Sequence, residues 1–204
     1  VRGAWLLEDE HRKSTIEQRL LELGNVFSVS LHSYGVMDNH LHIVMSVLPD
    51  YARQWSKEEV AERWLKLFPS SKKEQREQRL AKLLGDDARI GVLRGHLSSL
   101  SWFMRCANEY LAKRFNAEDE CTGRFWQGRY KSQALLSEKA LLAAMVYVDL
   151  NPIRAGIAEN LPMSHHTGVL RRLSLMETKQ RLPSQKLAPL AGYPTTFFSI
   201  SEAD

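Results

Sequence analysis

Cysteine is nearly missing: Cys106 and Cys121 are the only two in 204 residues, too few for a disulfide framework or a four-cysteine zinc site. No stretch approaches 18 consecutive apolar residues, and no basic-then-apolar leader opens the chain. Neither a membrane span nor a secretory signal is therefore expected, and a reduced, cytoplasmic setting is. Neither sign of charge dominates: 28 Lys+Arg against 24 Asp+Glu leave +4, which permits nucleic-acid binding without requiring it. No internal repeat is visible. With 44% hydrophobic and 25% charged residues, the composition is that of a folded protein able to bury a core without staples. The chain opens at Val1 rather than at a methionine.

Apolar spacing predicts a helix over 9–24, with Ile16, Leu20 and Leu23 on one face and Gly24 as its stop. Phe27 to Tyr34 alternates like a half-buried strand, Asp38-Asn39 supplies a turn, and His40 to Val47 reads as a second strand. The two make an antiparallel hairpin. Ser56 and Glu59 stand in capping-box spacing before a helix over 56–68. Charge-dense 70–89 reads as an exposed helix or insertion with a solvated face. Leu93, Leu97, Leu100, Met104, Ala107 and Leu111 mark one long helix over 92–115. Gly123 to Gln133 reads as a loop and short strand, and Ser137 caps a helix that Pro152 prevents from continuing. Order weakens after Gly156. The class is α+β: an antiparallel sheet with helices packed on it and a helical insertion at about 50–92.

Three groups carry possible chemistry. On a strand, His40 and His42 project to one face, so both imidazoles can reach one metal ion while Leu41 enters the opposite face. Tyr147 and Asn151 lie one helical turn apart. A tyrosine can serve as a nucleophile and an asparagine as an oxygen ligand, although a core tyrosine and a helix-ending asparagine fit the same pattern. In Gly123–Lys131 the cations Arg124, Arg129 and Lys131 interleave with Phe125, Trp126 and Tyr130. That pattern suits phosphate contacts plus base stacking, and equally a strand with aromatics inward and cations in water.

The run Tyr34-Gly-Val-Met-Asp-Asn-His-Leu-His-Ile-Val-Met45 resembles the HUH motif of single-tyrosine transposases, where U is hydrophobic. Gly123-Arg-Phe-Trp-Gln-Gly-Arg-Tyr130 and Tyr147-Val-Asp-Leu-Asn-Pro-Ile-Arg-Ala-Gly156 are similar to the second half of that family, in the branch of REP-associated tyrosine transposases. The resemblance covers about 130 residues, up to Gly156. It implies a ferredoxin-like or RRM-like HUH core in a catalytic domain over 1–156, followed by a poorly ordered or accessory segment over 157–204. It implies His40, His42 and Asn151 as ligands of Mg2+ or Mn2+, and Tyr147 as the nucleophile. The implied activity is cleavage and rejoining of single-stranded DNA through a 5′-phosphotyrosine, in DNA transposition. The implied partner is single-stranded DNA with hairpins, with Arg124, Trp126, Arg129, Lys131 and Arg154 as candidate DNA contacts and a homodimer as one possible assembly. The alternative is a hairpin-binding protein without cleavage. Two features depart from the family. Its sheet begins with a strand ahead of the first helix, for which Val1–Trp5 offer no candidate, and region 50–92 is longer than in its compact members.

Overall fold

The computed structural model describes residues 6–177 and 197–201. The fold is a mixed α+β structure dominated by helices and built around one antiparallel hairpin. Helix α1 (Glu10–Val26) starts where the Asp9 carboxylate accepts from the amides of His11 and Arg12. It leads into β1 (Val29–Val36), which pairs antiparallel with β2 (Leu41–Val47). Five helices follow: α2 (Pro49–Arg53), α3 (Lys57–Leu67), α4 (Lys73–Leu84), α5 (Asp87–Leu97) and α6 (Leu100–Glu118). Then come β3 (Lys131–Leu135), α7 (Glu138–Arg154), a 3-10 turn at Leu161–Met163, α8 (Gly168–Glu177) and β4 (Phe197–Ser201). β4 lies between β2 and β3, antiparallel to both, giving the order β1-β2-β4-β3. Among the described residues no helix is long and apolar enough to cross a membrane.

The hairpin is the middle of three layers. On one side α1 and the α3–α6 group bury Ile16, Leu20, Tyr34, Ile43, Met45, Phe103 and Phe115 in one large cluster. On the other, Val44 and Leu135 meet Leu141, Met145 and Val148 of α7. Every residue of β1 is buried, so the strand expected to be half-buried is covered on both faces. A register shift between Leu31 and Ser33 skips His32 and reverses the pattern of faces. Val29 and Leu31 enter the large core before it, and Tyr34 and Val36 after it.

The capping box forms as expected, with Ser56 and Glu59 exchanging both hydrogen bonds, and α4 buries none of its residues. The single helix expected over 92–115 is two. Its apolar spacing runs on unbroken, but at the end of α5 the Ser98 hydroxyl bonds the carbonyls of Arg94 and Gly95, an alternative to the helical ladder that serine readily supplies. Nor does Pro152 end α7, which runs to Arg154. The amide missing from proline leaves the Val148 carbonyl without its usual partner, and that carbonyl lies 3.5 Å from where a side chain at Gly35 would begin. Pro152 is carried, buried, in the last turn of α7.

In the segment over 157–204, expected to be poorly ordered or accessory, the described residues up to Glu177 are helical over Leu161–Met163 and Gly168–Glu177, and α8 lies against β1. The Val36 amide donates to the His166 carbonyl at 3.1 Å, and Gly35 bridges Thr167 antiparallel. The outer edge of β1 is thereby covered rather than left open for pairing. Sequence periodicity misses this because Ser164, Thr167 and Gly168, though buried, are small or polar residues.

Candidate functional site

Strand parity, a polar turn and one helix assemble the site. At the start of β2, His40 and His42 face the α7 side, and their Nε2 atoms lie 3.0 Å apart. Asn39, at the turn, accepts at Oδ1 from the Nδ1–H of His40 at 2.6 Å. This bond assigns the tautomer, leaving the Nε2 lone pair of His40 aimed at His42. The turn itself is tied down by Lys13 of α1, whose buried ammonium meets Asp38 at 2.7 Å. His42 is 5% exposed. Burial, helped by the neighbouring His40, holds its imidazole down at about 4, so at neutral pH it is an uncharged donor.

Tyr147 comes to the same place from α7. Its ring lies edge-on to His42 with centroids 5.7 Å apart, and its side chain is 47% exposed, open to a large ligand. The guanidinium of Arg154 stands over the ring at 5.2 Å. Half-buried Asn151 is one turn further along the same helix. On β3, Lys131 has the parity of Leu135, which packs against α7, so Lys131 shares the face of His42. The structure thus brings His40, His42, Tyr147 and Arg154 together, with Asn151 and Lys131 on the same side.

The donor set fits a divalent ion. Two nitrogens bound to one ion at about 2.1 Å and a right angle lie about 3.0 Å apart, which is the spacing found. Among the described residues no group of three or more His, Cys, Asp or Glu could hold a metal. The Asn151 amide is an oxygen of the kind that can ligate such an ion, on the same helix as Tyr147.

The aromatic-cationic stretch behaves differently. It is a loop until β3 begins at Lys131. Phe125 is buried in the helical core, with Trp126 and Tyr130 packed against it, and the Trp126 indole donates to the Asn108 carbonyl at 3.1 Å. Arg124 and Arg129 stand exposed. The arrangement is aromatics inward and cations in water.

Four of the other tyrosines have contacts elsewhere. Tyr34 is fully buried and its hydroxyl donates to Glu17 at 2.5 Å; burial and that carboxylate push its phenol well up. The Tyr130 hydroxyl shares a 3.1 Å hydrogen bond with Ser101 on the helical side. Tyr51 packs on Trp55, Tyr110 lies under Arg19, and Tyr193 lies outside the described residues.

No family model, curated protein or solved structure matches the chain.

Sequence reasoning passed over two features. One is Asn39, read only as a turn residue. The other is Asp149, whose carboxylate takes hydrogen bonds from Ser33 and Arg172. A lone acid inside the apolar run Leu141–Leu150 was the available signal.

Proposed function

We propose that this protein is an HUH-type tyrosine nuclease with transposase activity, cleaving and rejoining single-stranded DNA in the cytoplasm on a ferredoxin-like HUH core. The observation that carries the reading is the meeting of a paired-imidazole donor set with an exposed tyrosine from a distant helix: Nε2 to Nε2 at 3.0 Å, and Tyr147 against His42. His40, His42 and Asn151 would hold Mg2+ or Mn2+, which when bound polarises the scissile phosphate.

The remaining steps belong to this chain's own side chains. The Tyr147 oxygen attacks phosphorus in line, and the bond from phosphorus to the 3′ oxygen breaks. The phenol loses a proton and the leaving oxygen gains one, so the exchange is proton-neutral. One phosphodiester is replaced by a phosphotyrosine on the 5′ side, and the freed 3′-hydroxyl, or another, can reverse the attack without ATP. Arg154 over the Tyr147 ring supplies positive charge where the phosphate arrives. Lys131, on the same face, suits the flanking backbone, and exposed Arg124 and Arg129 suit strand contacts further out.

The test incubates labelled single-stranded DNA carrying the gene-flanking hairpins with the protein and Mn2+ or EDTA, followed by a denaturing gel. A slow-migrating adduct that needs metal and is lost in Tyr147→Phe is expected. Absence of any adduct from folded protein that still binds the hairpins would replace this reading with that of a non-cleaving hairpin binder.

A further inference from the structure

Tyr147 and Asn151 can act only if α7 is held at one rotation about its own axis. At about 100° per residue, the buried stripe Leu141, Met145, Val148 and Pro152 is flanked on one side by Tyr147 and Asn151. Asp149 flanks it on the other. Whatever grips Asp149 therefore sets the roll of α7, and with it the place of the tyrosine.

The grip comes from the segment after Gly156. Arg172 of α8 donates through one guanidinium nitrogen to Asp149 and through the other to the His32 carbonyl at 2.8 Å. The Ser33 hydroxyl donates to the second carboxylate oxygen of Asp149. His32 is the residue skipped by the register shift in β1, so the bulge supplies the anchor for the fork. The side chains of Asp149 and Arg172 are only 14% and 23% exposed. α8 is seated closely enough for this reach because Gly168 has no side chain: a Cβ there would stand 3.0 Å from Ser33 Oγ and 3.1 Å from Ser33 Cα and Tyr34 N.

We infer that Arg172 is a positioning residue for Tyr147, a fork from α8 that locks the roll of α7 through Asp149 and the β1 bulge. The inference rests on the tyrosine-nuclease reading. A buried ion pair is a poor device for stability alone, because desolvation offsets most of its attraction and apolar packing would hold a helix as well. What a two-pronged guanidinium adds is direction. A roll of about 10° would carry a phenol oxygen about 8 Å from the helix axis through about 1.4 Å. A misplacement of about 1 Å can cost on the order of a hundredfold in rate.

The test has an arm that needs no activity. In metal-free protein, NMR cross-relaxation between the ring protons of Tyr147 and His42 reports their contact. Arg172→Met should weaken it severalfold and slow single-turnover adduct formation by about 30-fold, with hairpin Kd changed less than threefold. Arg172→Lys, which keeps the charge but not the fork, should fall between. Gly168→Ala, which lifts α8 while leaving Arg172 in place, should reproduce the loss. Retention of both cross-relaxation and rate in folded Arg172→Met or Arg172→Lys would overturn the inference. If the wild type forms no adduct, the nuclease reading fails, and the NMR arm still decides whether Arg172 sets the position of Tyr147.

Discussion

Toward α1 and α6 the β1–β2 hairpin buries Leu31, Tyr34, Ile43 and Met45 within a large cluster of aliphatic and aromatic side chains. Toward α7 and α8 it buries His32, Ser33, His42 and Ser46 around a cluster whose buried core is Val44, Leu135, Leu141, Met145 and Val148. Hydrophobic area stabilises in proportion to its burial, so the first face supplies most of the folding free energy. Polar groups on the second face are costly unless paired. Three pairings here fix direction: His32 Nε2 with Ser46 Oγ at 2.6 Å, Ser33 with Asp149, and His40 with His42. One hairpin thus spends its two faces on different ends, stability on one and geometry on the other.

The sharpest way to break that contrast is a cavity on the apolar side. Phe103 is fully buried and meets Phe27 edge-on at 5.5 Å. Phe103→Ala should cost about 3–5 kcal/mol in urea denaturation, while adduct formation per folded molecule stays near the wild-type rate. On the polar side the order should invert. His42→Ala should cost only about 1 kcal/mol of stability, yet abolish Mn2+ binding in titration calorimetry and lower adduct formation at least about a hundredfold.

A finer test uses Asn39, an exposed residue whose loss should leave stability within about 0.5 kcal/mol. Because Asn39 orients His40, Asn39→Ala should weaken metal affinity about tenfold, the usual scale for a partner that fixes a ligand's tautomer.

The smallest expected effect concerns the clasp that joins the α8 segment to α1. His166 sits between Glu17 and Glu10, at 2.9 and 2.8 Å. The hydrogen bond to Glu17 raises its imidazole above the ordinary 6.5, outweighing burial and aided by Glu10. Both carboxyls lie below 4.5. Glu10 is lowered chiefly by its bond from His166, whereas for Glu17 the bonds from His166 and Tyr34 outweigh an opposing burial effect. A raised histidine contributes stability that is complete below its unfolded value and fades as pH rises through the folded one. A lowered carboxylate contributes above its unfolded value and fades as pH falls. The clasp is therefore strongest between about 4.5 and 6.5. His166→Asn, chosen because Asn tolerates the positive φ of 54° found there, should lower Tm by a few degrees at pH 5.5. That difference should shrink as pH rises past the raised value, as read by thermal melts across pH.

Much of this arrangement could be read from the sequence because it is local. The α1 spacing, the Ser56–Glu59 capping box, the hairpin and the shared face of His40 and His42 each depend on neighbours within a few residues. What could not be read depends on distant partners. Pro152 stands inside α7, and the Val148 carbonyl that it leaves without an amide faces Gly35 of β1. β1 loses its solvent face because α7 and α8 cover it, and Asp149 finds Arg172 only after α8 has docked. The HUH resemblance stops at Gly156, so nothing in it pointed to Arg172.

The central claim is that Tyr147 is the nucleophile of a metal-assisted exchange at a phosphodiester. The most direct measurement is mass-spectrometric mapping of protein incubated with hairpin-bearing single-stranded DNA and Mn2+, then digested with nuclease and protease. The account expects a nucleotide mass on the peptide containing Tyr147 and none after EDTA. A nucleotide on Tyr130 or any other residue, or no modified peptide from folded, metal-loaded protein, would contradict it.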